Sequence, residues 1–177
     1  MIRDARERHA AWPTARLALA LLSCALLFLA ATCPAWAAIH PKGPRPQGFD
    51  PFGWGQPMPS GPDVEVVESD GRTLFLRLKN RQVNIGGADI MDALYGFRDN
   101  RFFAAVLTFR GFTQYRRLRL AFETMHGSAD EQDDYSKRYT WRWEDVTLRL
   151  TWNMGTGYGK AVYVFLPLAG NGNGPAR

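Results

Sequence analysis

Apolar and polar residues alternate along four stretches of the chain and recur at helical spacing along a fifth. Val64 to Glu68 and Thr73 to Lys79 read as strands around Asp70-Gly71, a pair suited to a tight hairpin turn. Leu74, Leu76 and Leu78 share one face, and Thr73, Arg77 and Lys79 share the other with Phe75, so one side is core and the other mostly wet. Asn80 to Ala88, with Gly86-Gly87, reads as a turn. Ala93 to Phe97 and Phe102 to Phe109 form a central hairpin, because Asp99-Asn100 tolerates the positive φ angles of a two-residue turn. That register sets Phe97 opposite Phe102 and Gly96 opposite Phe103. Thr113 is then the expected N-cap of a helix from Gln114 to His126, with Tyr115, Leu118, Ala121, Phe122 and Met125 on its apolar stripe and Gly127 as its stop.

Lys137 to Asn153 is a further hairpin around Glu144-Asp145. It pairs Trp143 with Val146, Trp141 with Leu148 and Tyr139 with Leu150, and Trp152 falls on the same side. The opposite face, Arg138, Thr140, Arg142, Thr147, Arg149 and Thr151, is polar throughout, so the hairpin must lie on something. Lys160 to Leu166 is the last strand and Pro167 ends it. These elements predict an α+β fold: a two-layer arrangement in which a twisted antiparallel sheet of about six or seven strands carries one main helix on one face.

Outside residues 64–168 the pattern changes. Met1 to Arg16 carries four arginines, Leu17 to Ala31 is a small and apolar run, and Ala35-Trp36-Ala37 has the small residues of a signal-peptidase site. We read residues 1–37 as a signal peptide cut after Ala37 and the protein as periplasmic or secreted. The alternatives are an uncleaved inner-membrane anchor, the one case in which a membrane becomes a partner, and a lipoprotein attached at Cys24. Both cysteines, Cys24 and Cys33, fall in this leader, so disulfides and thiol chemistry are not expected of the mature chain. Residues 38–63 hold seven prolines and five glycines and read as a flexible spacer. Its Phe49, Phe52 and Trp54 either dock a partner, fold back onto the domain, or remain in a tether. Residues 169–177 read as a disordered tail.

The chain has 22 basic and 17 acidic residues. The leader takes four of the first and two of the second, leaving 18 and 15, a mild surplus that does not point to nucleic acid. Chemistry is sparse. The run Gly155-Thr156-Gly157-Tyr158-Gly159-Lys160 departs from a phosphate loop, with Met154 and Ala161 at key positions and a strand where a helix is required. The carboxylates of Asp130 to Asp134 lack calcium-loop spacing. No catalytic, metal or cofactor constellation emerges. Tyr139, Trp141, Trp143 and Trp152 are the candidate ligand-binding residues: exposed they would form a platform for a sugar, lipid or peptide, and buried they are core beneath the helix, the reading preferred for a domain without disulfides. Arg116, Arg117 and Arg119 are candidates for an anion patch, against a simple solvated helix face.

The set Tyr95-Gly96-Phe97, Phe102-Phe103, Phe109-Arg110-Gly111, Leu118, Gly127 and Tyr139-Thr140-Trp141 resembles a pattern in uncharacterised small exported proteins of Gram-negative bacteria. The resemblance covers roughly residues 83–166 and implies no catalytic residue. The expectation is a non-enzymatic binding or scaffolding module whose partner is another envelope protein or polymer. The alternatives are a carrier of a small apolar ligand between helix and sheet, and an envelope-polymer-modifying enzyme using Asp92, His126 or the acidic loop.

Overall fold

The structure, a computed structural model, describes residues 42–170. The expected leader and the end of the expected tail lie outside the described residues. Two strand segments, β1 (Gly48–Phe49) and β2 (Phe52–Gly53), pair with each other, followed by β3 (Val64–Ser69) and β4 (Thr73–Leu78). The small hairpin β5 (Asn84–Ile85) and β6 (Ala88–Asp89) precedes β7 (Asp92–Arg98) and β8 (Arg101–Arg110). Helix α1 (Phe112–His126) leads into β9 (Glu131–Asp133), β10 (Arg138–Arg142), β11 (Val146–Trp152) and β12 (Tyr158–Phe165), and a last turn, α2 (Leu166–Ala169), closes the chain. Eight strands form one antiparallel sheet in the order β3-β4-β7-β8-β12-β11-β10-β9.

This overturns the α+β expectation. About 47% of the described residues are strand and 15% helix, so the described part is mostly β, with two small sheets beside the large one and one substantial helix. The extra strands come from segments without alternation. β9 arises from an acidic run that pairs with β10, and β1, β2, β5 and β6 arise from Gly-containing turns. Short strands of this kind take their conformation from the partner they pair with more than from their own sequence.

Local chemistry explains the long strands. Asp99 and Asn100 have φ of 47° and 64°, the turn that allows Phe97 to face Phe102. A bulge at Gly96/Phe97 places Gly96 opposite Ala104, correcting the expected partner Phe103. Glycine is still required there, since a Cβ would lie 2.9 Å from the Phe75 ring and 3.1 Å from the Phe103 ring. Gly111, with φ 93°, is the helix N-cap in place of Thr113, and Gly127 donates its N–H to the Glu123 carbonyl at 2.9 Å as the helix ends. Tyr139 pairs with Leu150 and Trp141 with Leu148, so their side chains and those of Tyr163 and Leu107 meet Leu118 and Phe122 of α1 in one core.

Residues 42–58 do not behave as the expected spacer. Trp54 stacks on Phe102 at 5.0 Å and on Phe165 at 5.8 Å, and Phe52 meets Tyr95 and Phe97 edge-on at 5.3 and 5.4 Å. The backbone is tied as well, Phe102 donating to the Gln56 carbonyl at 2.8 Å and Gly55 to the Phe102 carbonyl at 2.9 Å. Phe49, Phe52 and Trp54 are all partly buried against the core, a contribution that acts against the ordering entropy of a Pro/Gly-rich segment. The segment is a strap across the sheet, and the domain begins well before residue 64.

Candidate functional site

The aromatic strip divides in two. Tyr139 and Trp141 are fully enclosed, which corrects any platform built on all four rings. Trp141 donates its indole N–H to the Gly127 carbonyl at 2.8 Å. Trp143 and Trp152 are half-buried at opposite ends of the hairpin. Trp143 lies edge-on to His126 at 5.1 Å and beneath the Lys42 ammonium at 5.4 Å. The arginines of α1 do not converge as an anion patch. Arg117 donates to the Gly87 carbonyl at 2.8 Å, whereas Arg119 binds Glu123 at 2.8 Å and covers the Tyr139 ring at 4.6 Å. Arg116 is exposed on the helix.

Asp92, His126 and the acidic stretch are not brought together. Asp92 stands on β7 and the acidic stretch on β9, five strand spacings away in the sheet order, about 24 Å measured along the sheet. Arg77 grips Asp92 through both oxygens at 2.8 and 2.9 Å, which holds that carboxyl below its ordinary range despite partial burial. Lys42, Arg142 and Arg119 pair with Asp130, Glu131 and Asp134. Among the described residues no three His, Cys, Asp or Glu side chains gather as a metal site would require. The space where an apolar ligand would lie between helix and sheet is filled by Leu118, Phe122, Tyr139, Trp141 and Tyr163.

His126 is nearly buried, 8% exposed, under the Gly43 end of the strap, and Gly43 donates its N–H to the His126 carbonyl at 2.8 Å. Burial lowers the imidazole pKa from its ordinary 6.5, outweighing a backbone contact at Pro44 that raises it. The helix C-terminus would favour a cation here, but desolvation prevails. Because the folded pKa is depressed, the unfolded chain binds the proton more readily. Stability from this group is complete above pH 6.5 and falls as pH drops through the window below it. Urea midpoints of the parent are expected to fall between pH 7.5 and 5.5 more steeply than those of His126→Gln. Parallel slopes would show that the imidazole does not carry the effect.

Three surface clefts stand out among the described residues. One of about 460 Å³ is lined by Arg77, Arg81 and Tyr95, and its arginines are matched by Asp92 and Asp50. Another, of about 470 Å³, contains the Arg72–Asp99 pair, and its Arg98 binds the Ala169 carbonyl. The third, about 700 Å³, is the largest of these three and falls within the ~300–1,000 Å³ typical of small-ligand sites. It opens between the β9–β10 turn, carrying Tyr135 and Ser136, and the β11–β12 loop, carrying Met154 and Thr156. Its floor is Thr108, Thr151 and Lys160, with Arg138 and Tyr158 at the sides. Trp152 also borders it, the one member of the expected ligand set to do so. The rest of the site escaped sequence reading because its residues come from four strands and two loops. The available signal was the polar face Arg138, Thr151, Arg149, together with the glycine run 155–159, which turns between strands and walls the cleft.

Compared with protein-family models, curated proteins and solved structures, the chain matches none.

Proposed function

We propose that the protein is a non-enzymatic binding or scaffolding module of the cell envelope and that it holds its partner in the cleft between the two hairpin loops. The supporting observation is that cleft's lining: hydroxyls, an amide, two tyrosines and two cations, groups that grip a partner by hydrogen bonds, ring contact and charge. Envelope placement is supported by the leader pattern of residues 1–37.

The test is photocrosslinking in living cells that express the full chain. A benzophenone side chain at Tyr135 or Met154 is expected to capture a discrete envelope component. The same group at Leu120, which is exposed on α1, should capture nothing comparable. Equal adducts at all three positions would remove the cleft from the proposal.

A further inference from the structure

We infer that this cleft takes an acidic glycan, a sugar chain bearing carboxylates, clamped between Arg138 and Lys160 over Thr151; the inference rests on the binding role proposed above and names its ligand class. The register fixes the clamp. Arg138 pairs with Thr151 and Thr151 with Lys160, so the two cations stand two strand spacings apart, about 10 Å, with a hydroxyl between them. Both cations are exposed.

The nearby carboxylates are already engaged. Asp133 lies directly across from Arg138, but its oxygens accept from Tyr135 N at 3.0 Å, Ser136 N at 2.9 Å and Ser136 Oγ at 2.5 Å. The same cross-strand row runs from Lys160 through Thr108 to Asp92, whose two oxygens hold Arg77. Asp133 keeps its charge facing Arg138, but neither Arg138 nor Lys160 forms a direct ion pair among the described residues, so both cations stay open to an anion from outside the chain. This separates the cleft from the two smaller ones, where arginine and carboxylate are matched internally.

The remaining lining selects a sugar. Tyr135 is 89% exposed and Tyr158 42%, and the Arg110 guanidinium sits 5.3 Å from the Tyr158 ring centre. Arg110, outside the cleft lining, covers one face of Tyr158, whereas the exposed Tyr135 ring accommodates the C–H face of a pyranose and Thr and Ser hydroxyls meet sugar hydroxyls. Nucleic acid is disfavoured because a strand needs a run of cations and stacked bases along its length. The wall is built in advance: Asn153 Oδ1 accepts from Thr156 N at 3.0 Å, and Gly157 donates to the Asn153 carbonyl at 2.9 Å. A braced loop gives up little conformational freedom on binding.

Calorimetry on the full chain with an oligogalacturonate, its methyl-esterified neutral form and a single-stranded oligonucleotide of equal length tests this. The acidic glycan is expected to bind, more weakly as salt rises. Arg138→Gln and Lys160→Gln should each weaken it roughly tenfold, as loss of a charge-assisted hydrogen bond implies. Tyr135→Ala should weaken it too, and Arg116→Gln should not. If the neutral form binds equally well and only Tyr135→Ala matters, the charge clamp falls while the binding role stands. An oligonucleotide bound as tightly overturns the ligand class. Failure of both glycans to bind overturns the inference, and the crosslinking experiment then decides the binding role separately.

Discussion

Replacing Trp141 by alanine is expected to lower the unfolding free energy by about 3–5 kcal/mol, the usual range for deleting a buried aromatic ring. The ring is fully enclosed, lies edge-on to Phe122 at 5.7 Å and stacks on Tyr139 at 6.3 Å. Alanine would leave a cavity between helix and sheet that these rings cannot refill. It would also strip the Gly127 carbonyl of its indole donor, just beyond the helix end, adding the cost of an unmet acceptor. Trp141→Phe keeps most of the contact and should lose mainly the hydrogen bond, about 1 kcal/mol. Trp143→Ala, at a half-buried position, should fall well short of Trp141→Ala. Urea unfolding followed by circular dichroism gives all three values. Equal losses for Trp141→Ala and Trp143→Ala would mean that the core is not centred on Trp141.

The second large effect is expected at Gly159. A Cβ there would lie 2.2 Å from Phe109 Cζ and 2.7 Å from the Thr151 carbonyl oxygen, far inside contact distance. Phe109 is fully buried, so its ring has no open space to enter, and Gly159 pairs with it directly across the β8–β12 boundary. Gly159→Ala should therefore cost about 3 kcal/mol, at the upper end for overpacking. The cause can be isolated by pairing it with Phe109→Leu, which shortens the obstructing side chain. Clash as the origin requires the double variant to be more stable than the two single losses added together. Simple additivity would point to backbone conformation instead.

The sequence carried the paired strands well wherever alternation and a turn dipeptide agreed. The Tyr139–Leu150 and Trp141–Leu148 pairs follow from placing the turn at Glu144-Asp145, because side-chain direction has a period of two and one anchored turn fixes every position after it. It failed where structure depends on a distant partner. Nothing within GFDPFGWGQP selects among docking a partner, folding back and remaining a tether, so the stacking of Trp54 on Phe102 and Phe165 is one of three open readings. For the same reason an acidic run became β9, and the described part of the chain proved mostly β. The cleft shows the same limit: Arg138 and Thr151 were legible as one polar face, but Lys160 joins them through the pairing of β11 with β12, and Tyr135 through a turn.

In the large sheet, every neighbouring pair except one joins strands that are consecutive among the sheet's own strands and lie in the same half of the domain, β4 and β7 being separated by the small β5–β6 hairpin. The exception is β8 with β12, which brings the last strand back against the end of the first half along seven matched positions, Tyr158 to Val164. Each half can zip from adjacent hairpins at small loop-closure cost, whereas this seam must wait for the whole chain. Trp54 rests on one residue from each side of it. The strap, first of the described elements, thus finds its complete surface after the final strand has arrived, and these early residues of the domain are placed to act as a rivet over its last joint.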